Sequence, residues 1–446
     1  MKKTIVLLGV GSTYFTRQLV ESLILKGGEW DVRMVDIVPE CLEIATLLAR
    51  RMVELYDAPI TVSGSLDRRE VLPGADAVVS TIGVGGLRAW EKDVTIFRQF
   101  NVYQSTGDTY GAGGVSRALR TIPVLIEVAR DIERLCPNAL FINFTNPMTV
   151  NCRAVARETS VRIGGLCYGV TYYEHYLARF IGVPWKETRC RAIGVNHFTW
   201  ITDFQCEGQD AWPLVRQKMQ EKMDSGEIKE SYTWELFRMF DAFPCVGDGH
   251  ICEFVPGWQG QGAYYGRTFG VNAGHDGSFE EYVAGFHRVF AEMADQAYGR
   301  TPITKSEVDI ADGVHPTGET FKDEDLFIDV LNASLGQGEI LRTVNLPNVG
   351  QASNLPVGAV LEATTFVSGA GFQPLCFGEL PPGITAILQR IIGAQELTVE
   401  AALKSDRKLA IQALVAGETV KTEAEAERMM DVILETHREY LTQFFK

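Results

Sequence analysis

Four sets of residues in this 446-residue chain have types and spacings suited to chemistry. Gly9-Val10-Gly11-Ser12 follows the apolar run Ile5-Val6-Leu7-Leu8 and precedes a helical pattern. Bare backbone there can approach a pyrophosphate at a helix N-terminus. Tyr14 replaces the third glycine of the usual fingerprint, but Asp36 closes the next strand pattern, where a carboxylate can bind both ribose hydroxyls and disfavour a 2′-phosphate. Gly83, in Thr81–Gly86, and Asn143 follow two further apolar runs at the analogous edge. The second set is Cys167 with Asn196-His197, each ending a strand pattern. A thiolate and an imidazole can hold a divalent cation and leave positions open for substrate oxygens, although taken alone residues of these types more often belong to an ordinary core. The third set is acidic: Asp108, ahead of Gly111-Ala112-Gly113-Gly114, and Asp248-Gly249-His250 with Glu253 close behind. Glycines beside an acid admit substrate, or simply make turns. The fourth is Arg88, Arg117 and Arg120, which suit a substrate anion or a solvated helix face.

Strand patterns at 4–8, 31–35, 75–82, 139–143, 163–167 and 189–195 alternate with helical patterns at 19–26, 42–55 and 118–135. This order implies parallel pairing in a doubly wound α/β sheet, assigned to residues 1–195. Beyond Asn196 the rhythm changes. Helical patterns cover 213–239, 279–298, 384–398, 399–415 and 423–445, with extended segments within 344–366. Residues 196–446 are therefore read as an α+β second domain packed closely on the first.

Composition narrows the partners. With 42 Lys and Arg against 57 Asp and Glu, the net charge of −15 repels phosphate backbones and argues against nucleic acid. No run approaches the roughly 18 apolar residues of a membrane span. The nine cysteines are scattered, odd in number and without a CxxC pair, which suits buried thiols rather than disulfides. The opening apolar run stops at Gly9 with no cleavage site, so it is not read as a signal peptide, and the cytoplasm is expected.

Taken in order, the motifs resemble the family 4 glycoside hydrolases almost end to end. The resemblance rests on Gly9-x-Gly11-Ser12, Gly107-Asp108-Thr109, Gly113-Gly114 with Ala118-Leu119-Arg120, and Asn143-Phe144-Thr145-Asn146-Pro147-Met148. It continues through Cys167, Gly194-Val195-Asn196-His197, Glu253-Phe254-Val255-Pro256, and Asn348-x-Gly350 through Asn354-Leu355-Pro356 to Glu362. The family shares its domain plan with lactate and malate dehydrogenases, so the resemblance implies a Rossmann-type sheet with a C-terminal α+β domain. It implies hydrolysis by a redox–elimination route outside the two-carboxylate scheme. NAD+ takes a hydride from C3, a divalent cation (usually Mn2+) assists deprotonation at C2, the C1–O bond breaks, water adds, and the hydride returns.

Carried over by position, Cys167 and His197 are the implied metal ligands, and Asn146, with Arg88 and His250, the implied sugar contacts. Gly9, Gly11, Ser12, Asp36, Gly83 and Asn143 are the implied coenzyme contacts. Asp248 is the implied base, with Tyr264 or Tyr265 as alternatives, and Asp108 the implied acid. Tyr168 follows the ligand cysteine where family branches carry His, Asp or Asn, and it is counted with the catalytic group. Its presence points away from 6-phosphoglycosides, and Gly-Asp-x-His-x-x-Glu-Phe points toward α-galactosides, α-glucuronides or α-galacturonides. A homodimer or homotetramer is implied. Two alternatives stand beside this reading: an NAD-dependent 2-hydroxy-acid dehydrogenase and a non-catalytic NAD-binding protein.

Overall fold

A computed structural model of the chain describes residues 2–228, 231–256, 263–264, 267–268, 279–303 and 326–445. Six strands run parallel: β1 (Lys3–Leu8), β2 (Trp30–Val35), β3 (Ile60–Ser65), β4 (Ala77–Ser80), β5 (Leu140–Asn143) and β6 (Arg162–Gly165). Their spatial order is β3-β2-β1-β4-β5-β6, so the winding reverses between β1 and β4, where such sheets bind ligands. The strands read as unbroken apolar runs because both faces are covered. Val6, Leu8, Val78 and Phe141 enter one core with the helices Gly111–Leu135 and Met148–Glu158. Ile5, Leu7, Val79 and Ile142 enter a second core with the helices Thr16–Lys26 and Pro39–Tyr56.

The same sheet continues past β6 in antiparallel fashion. Its further strands are β7 (Thr188–Val195), β8 (Phe198–Cys206), β9 (Gln209–Asp210), β10 (Phe243–Cys245), β13 (Ile340–Pro347), β14 (Val360–Ser368) and β15 (Gly371–Pro374). The short strands β11 (Ala263–Tyr264) and β12 (Arg267–Thr268) pair only with each other. Register aligns the functional edge. Val35, Leu8, Ser80, Asn143 and Gly165 are successive partners, and the row passes through Asn345, Glu362 and Gly194 to Thr199 and Cys245. Loops leaving this row therefore emerge side by side.

The expected parts, 1–195 and 196–446, share both cores. Val399, Leu414, Met429 and Ile433 pack in the core of Val6 and Phe141, and Leu326, Phe327 and Leu331 in the core of Leu7 and Ile142. Other elements differ from the sequence reading. The helix expected from Ala118 begins at Gly111, because Gly113 and Gly114 pack directly on a neighbouring loop. The long helical stretch 213–239 is two helices, Trp212–Asp224 and Ser231–Phe240. β3 and the helices Gly86–Thr95, Met148–Glu158 and Gly169–Ile181 were not expected. Among the described residues no helix is long and apolar enough to cross a membrane.

Candidate active site

At the carboxyl end of β1, Gly9 adopts φ +84°, and a Cβ there would lie 2.8 Å from the backbone of Ile82. Only glycine brings the two loops this close. Asp36 reaches across from β2: its Oδ2 accepts from the Gly11 amide at 2.7 Å and its Oδ1 from Val38 at 2.9 Å. Ser12 Oγ accepts from the Phe15 amide at 3.2 Å, but no side chain caps the helix Thr16–Lys26 at Phe15. A Cβ on Gly83 or Gly86 would meet nothing within 4 Å. Open space over glycines, a helix start with no capping side chain and a carboxylate on the next strand fit a dinucleotide with free ribose hydroxyls. Asn143, in contrast, is fully buried and turned inward. Its amide donates to the Thr145 carbonyl at 2.9 Å and shapes the loop rather than facing the cleft.

The next loops along the edge carry a buried polar group. Asn196-His197 is the two-residue turn between β7 and β8, with His197 at φ +67°, a conformation a non-glycine residue adopts at some cost. Ligand atoms of Asp108, His197 and His250 all lie within 4.8 Å of one another. The two imidazole rings are 4.0 Å apart between centroids. Asp108 Oδ2 accepts from Asn146 Nδ2 at 2.8 Å, and Oδ1 accepts from the Thr109 hydroxyl at 2.6 Å. Thr109 Oγ1 also lies 2.7 Å from His197 Nδ1. A hydroxyl has one proton, and here it goes to the carboxylate, so Nδ1 must be the donor to Thr109. That fixes the tautomer and leaves Nε2 with its lone pair, the state a metal ligand needs.

The electrostatics agree. Burial, then the neighbouring His250, lowers His197 to about 3, against the partly compensating charge of Asp108. Burial also lowers His250. For Asp108, burial alone would raise the carboxyl, but the imidazoles, Arg117 and the Thr109 hydroxyl hold it below its ordinary value. Because both imidazoles are uncharged near neutral pH, Arg117 is the permanent charge in that set. Asp108 is thus an anion at neutral pH, a state able to accept a proton.

Cys167 follows β6 and lies outside the group of three, but its thiol hydrogen-bonds Asn196, the neighbour of His197. Burial and then the charge of Glu362 push the thiol up to about 12. Only a nearby cation would make it a thiolate. Asn196 donates to Glu362 Oε2 at 3.4 Å and Thr199 donates to the same oxygen at 2.6 Å. Glu362 is fully buried, and that burial raises it to about 7. Asn146 Oδ1, Asn196 Oδ1 and His250 Nδ1 are buried without a hydrogen-bond partner among the described residues. Buried orphan acceptors beside an anion and a thiol fit a cation with substrate oxygens.

Other expected residues have different surroundings. Asp248 is buried and turned to the start of the helix Ser231–Phe240. Its carboxylate accepts from Thr233 N and Oγ1 at 2.8 Å and from Tyr232 N at 3.1 Å. It opens the short helix Asp248–Phe254, whose Glu253 accepts from the Thr106 and Gly107 amides at 2.7 and 2.8 Å. That helix ties His250 to the Asp108 loop. Tyr168 stacks on Phe144, centroids 6.0 Å apart, and packs against the second core. Arg120 is buried and forms a two-pronged pair with Asp93, and Arg88 is exposed near Tyr440. The side chains of Tyr264 and Tyr265 lie outside the described residues. Sequence reasoning named Thr109, Asn196, Glu253 and Glu362 within its motifs but gave none of them a role of its own. Adjacency to Asp108 or His197 was the available signal for the first two, and an acid within apolar surroundings for the others.

Comparison with known proteins follows the same lines. The model of the family 4 glycosyl hydrolases matches residues 4–183, and that of the family 4 glycosyl hydrolase C-terminal domain matches residues 192–420. An α-galacturonidase of Thermoanaerobacterium saccharolyticum is 30% identical over 397 residues, covering 83% of this chain and 81% of that protein. A crystal structure of a putative glucosidase, lplD, from Bacillus subtilis superposes with a TM-score of 0.83 at 25% identity, covering 97% of this chain and 100% of that one. A 6-phospho-α-glucosidase from gut microorganisms, solved in complex with NAD and Mn2+, superposes with a TM-score of 0.81 at 20% identity over 99% of both chains. Together with the coenzyme edge and the histidine–aspartate group, these matches place the chain: it belongs to family 4 of the glycosyl hydrolases.

Proposed function

We propose that this glycosidase cleaves α-galacturonides by the oxidation–elimination route, with NAD+ at the β1–β4 edge and a divalent cation, manganese by preference, beside His197. The observation that carries the substrate class is the 30% identity to an α-galacturonidase across four fifths of both chains. Bound there, the coenzyme supplies a hydride acceptor for C3 and the cation stabilises negative charge developing on the sugar oxygens. The chain's own residues do the rest. Asp36 and the glycine turn orient the dinucleotide. His197 Nε2 and Cys167 Sγ are the cation ligands, with His250 at hand, and Thr109 holds the imidazole in its productive tautomer. Asn146 presents its free carbonyl oxygen to a sugar hydroxyl.

Of the two aspartates, Asp108 is the one beside the imidazoles, ionised and able to receive the C2 proton. Asp248 anchors the helix that carries His250. The order expected from the resemblance, Asp248 as base and Asp108 as acid, is thus revised in this proposal. The route differs from a 2-hydroxy-acid dehydrogenase in returning its hydride within each turnover, so no NADH accumulates.

The test is cleavage of nitrophenyl α-galacturonide with NAD+, Mn2+ and a thiol reductant in deuterated water. Deuterium should enter C2 of the product, and Asp108→Asn should abolish that exchange while Asp248→Asn slows it far less. Cleavage unchanged after NAD+ and metal are both stripped would overturn the route, and loss of exchange in Asp248→Asn alone would reverse the assignment of the base.

A further inference from the structure

The substrate proposed above is an anion, while the chain carries a net charge of −15. Long-range electrostatics therefore oppose binding, and a local cation has to overcome that repulsion. Three arginines stand near the right elements, and the structure separates them. Arg120 is 2% exposed and committed to Asp93, and Arg88 points to solvent. Arg117 is different. It lies in the first turns of the helix Gly111–Leu135, half-buried, and only its Nε has a hydrogen-bond partner among the described residues, the Asn146 carbonyl at 3.1 Å. No carboxylate of the described residues lies within ion-pair distance of it. Burial lowers its pKa and the neighbouring Arg120 adds to this, while Asp108 and Asp93 oppose the change. Its guanidinium lies over the ring of Trp90, 5.9 Å from the centroid, and Trp90 is itself fixed by donating to the Thr106 carbonyl at 2.7 Å.

A partly desolvated guanidinium with both terminal nitrogens free, whose nearest carboxylates act on it only from beyond ion-pair distance, is an incomplete arrangement. The residues beside it belong to the site already described: Asn146, which binds Asp108, and the loop that carries Asp108. We infer that Arg117 is the specificity-determining residue for the sugar carboxylate, its two terminal nitrogens taking the uronate oxygens as a fork while Trp90 supports the guanidinium plane. The inference rests on the α-galacturonide reading and adds to it the group that tells a galacturonide from the corresponding galactoside. Lysine at this position would keep the charge and lose the fork.

The experiment compares wild type, Arg117→Gln and Arg117→Lys on nitrophenyl α-galacturonide and nitrophenyl α-galactoside, with KM and kcat resolved, and measures equilibrium binding of free galacturonate and galactose to each protein. Both substrates slow in the variants, because Arg117 also acts on Asp108. The galacturonide-to-galactoside ratio of kcat/KM should fall a further 10- to 150-fold or so in Arg117→Gln, chiefly through KM, and by less in Arg117→Lys. A ratio that moves less than about threefold, or galacturonate bound equally by wild type and Arg117→Gln, overturns the assignment of Arg117. So does failure of wild type to bind galacturonate at all. Wild type that binds galacturonate through Arg117 but cleaves no galacturonide overturns the activity reading and leaves the arginine's role standing. Arg117→Lys carries the comparison if the glutamine variant does not fold.

Discussion

Replacing Thr109 by valine keeps the shape of a side chain that is 3% exposed and removes a single hydroxyl. The consequence follows from two distances. Asp108 Oδ1 loses its 2.6 Å donor, and His197 Nδ1–H loses its 2.7 Å acceptor. A hydrogen bond to a charged group contributes about 1.5–3 kcal/mol, and a buried donor left unmatched costs about 1–3 kcal/mol, so the folded state should lose about 2.5–6 kcal/mol. The second effect is on the cation. Without Thr109 the imidazole keeps only the Asp108 carboxylate, 3.9 Å from Nδ1 and beyond hydrogen-bond distance, to favour the tautomer with a free Nε2, and loss of such an outer contact weakens metal binding by roughly 10- to 100-fold, or about 1.4–2.7 kcal/mol. Manganese titrated into the protein and followed by the electron paramagnetic resonance of the free ion measures this directly, with no turnover involved. Thr109→Ser keeps the hydroxyl and should bind within about threefold of wild type, which separates the relay from packing. The reasoning is refuted if Thr109→Val binds manganese as tightly as wild type, or if Thr109→Ser is as weak as the valine variant.

Three further outcomes are expected. Asp93 is fully buried; burial alone would raise its carboxyl, but Arg120 and then His437 hold it below its ordinary value. Its contribution to stability is therefore complete above about pH 4 and lost as pH falls further. Asp93→Asn should cost about 3–5 kcal/mol at neutral pH by stranding Arg120, and should flatten the acid limb of the urea midpoint relative to wild type. Gly9→Ala forces a Cβ to within 2.8 Å of Ile82 at φ +84°, so it should cost at least about 1–2 kcal/mol from the dihedral alone. Thermal midpoint and NAD+ affinity should fall together. Glu253→Ala removes the acceptor of the Thr106 and Gly107 amides, and hydrogen exchange at those two amides should quicken at least about tenfold.

Much of the parallel half was readable in the chain. β1, β4 and β5 are short runs of apolar residues because each feeds two cores at once, and that signal survives without any partner. β3, Ile-Thr-Val-Ser-Gly-Ser, covers an edge with only Ile60 buried, so it has no such signature. The glycine run 111–114 looked like a loop in one dimension; its lack of side chains serves the close packing of a helix on the Gly107–Thr109 backbone. In the site, types and spacing were enough to single out Asp108, His197 and His250 separately. Their grouping was not available, because Thr109 and His197 are 88 residues apart and meet only through the pairing of distant strands. Glu362 was equally opaque: it reads as one more acid in an extended segment until β14 lies against β7 and seals it from water.

The single paired position between β6 and β13, Gly165 opposite Asn345, makes the two halves of the sheet behave like meshed racks. Deleting one residue of β13 would slide everything beyond it by about 3.3 Å and turn alternate side chains to the wrong face, Val344 and Leu346 leaving the core they share with Leu7 and Ile142. The coenzyme edge and the histidine turn would then miss each other on the sugar ring. Selection for new substrates is thereby channelled into the loops that overhang the sheet, since the strands beneath can vary in side chain but not in length.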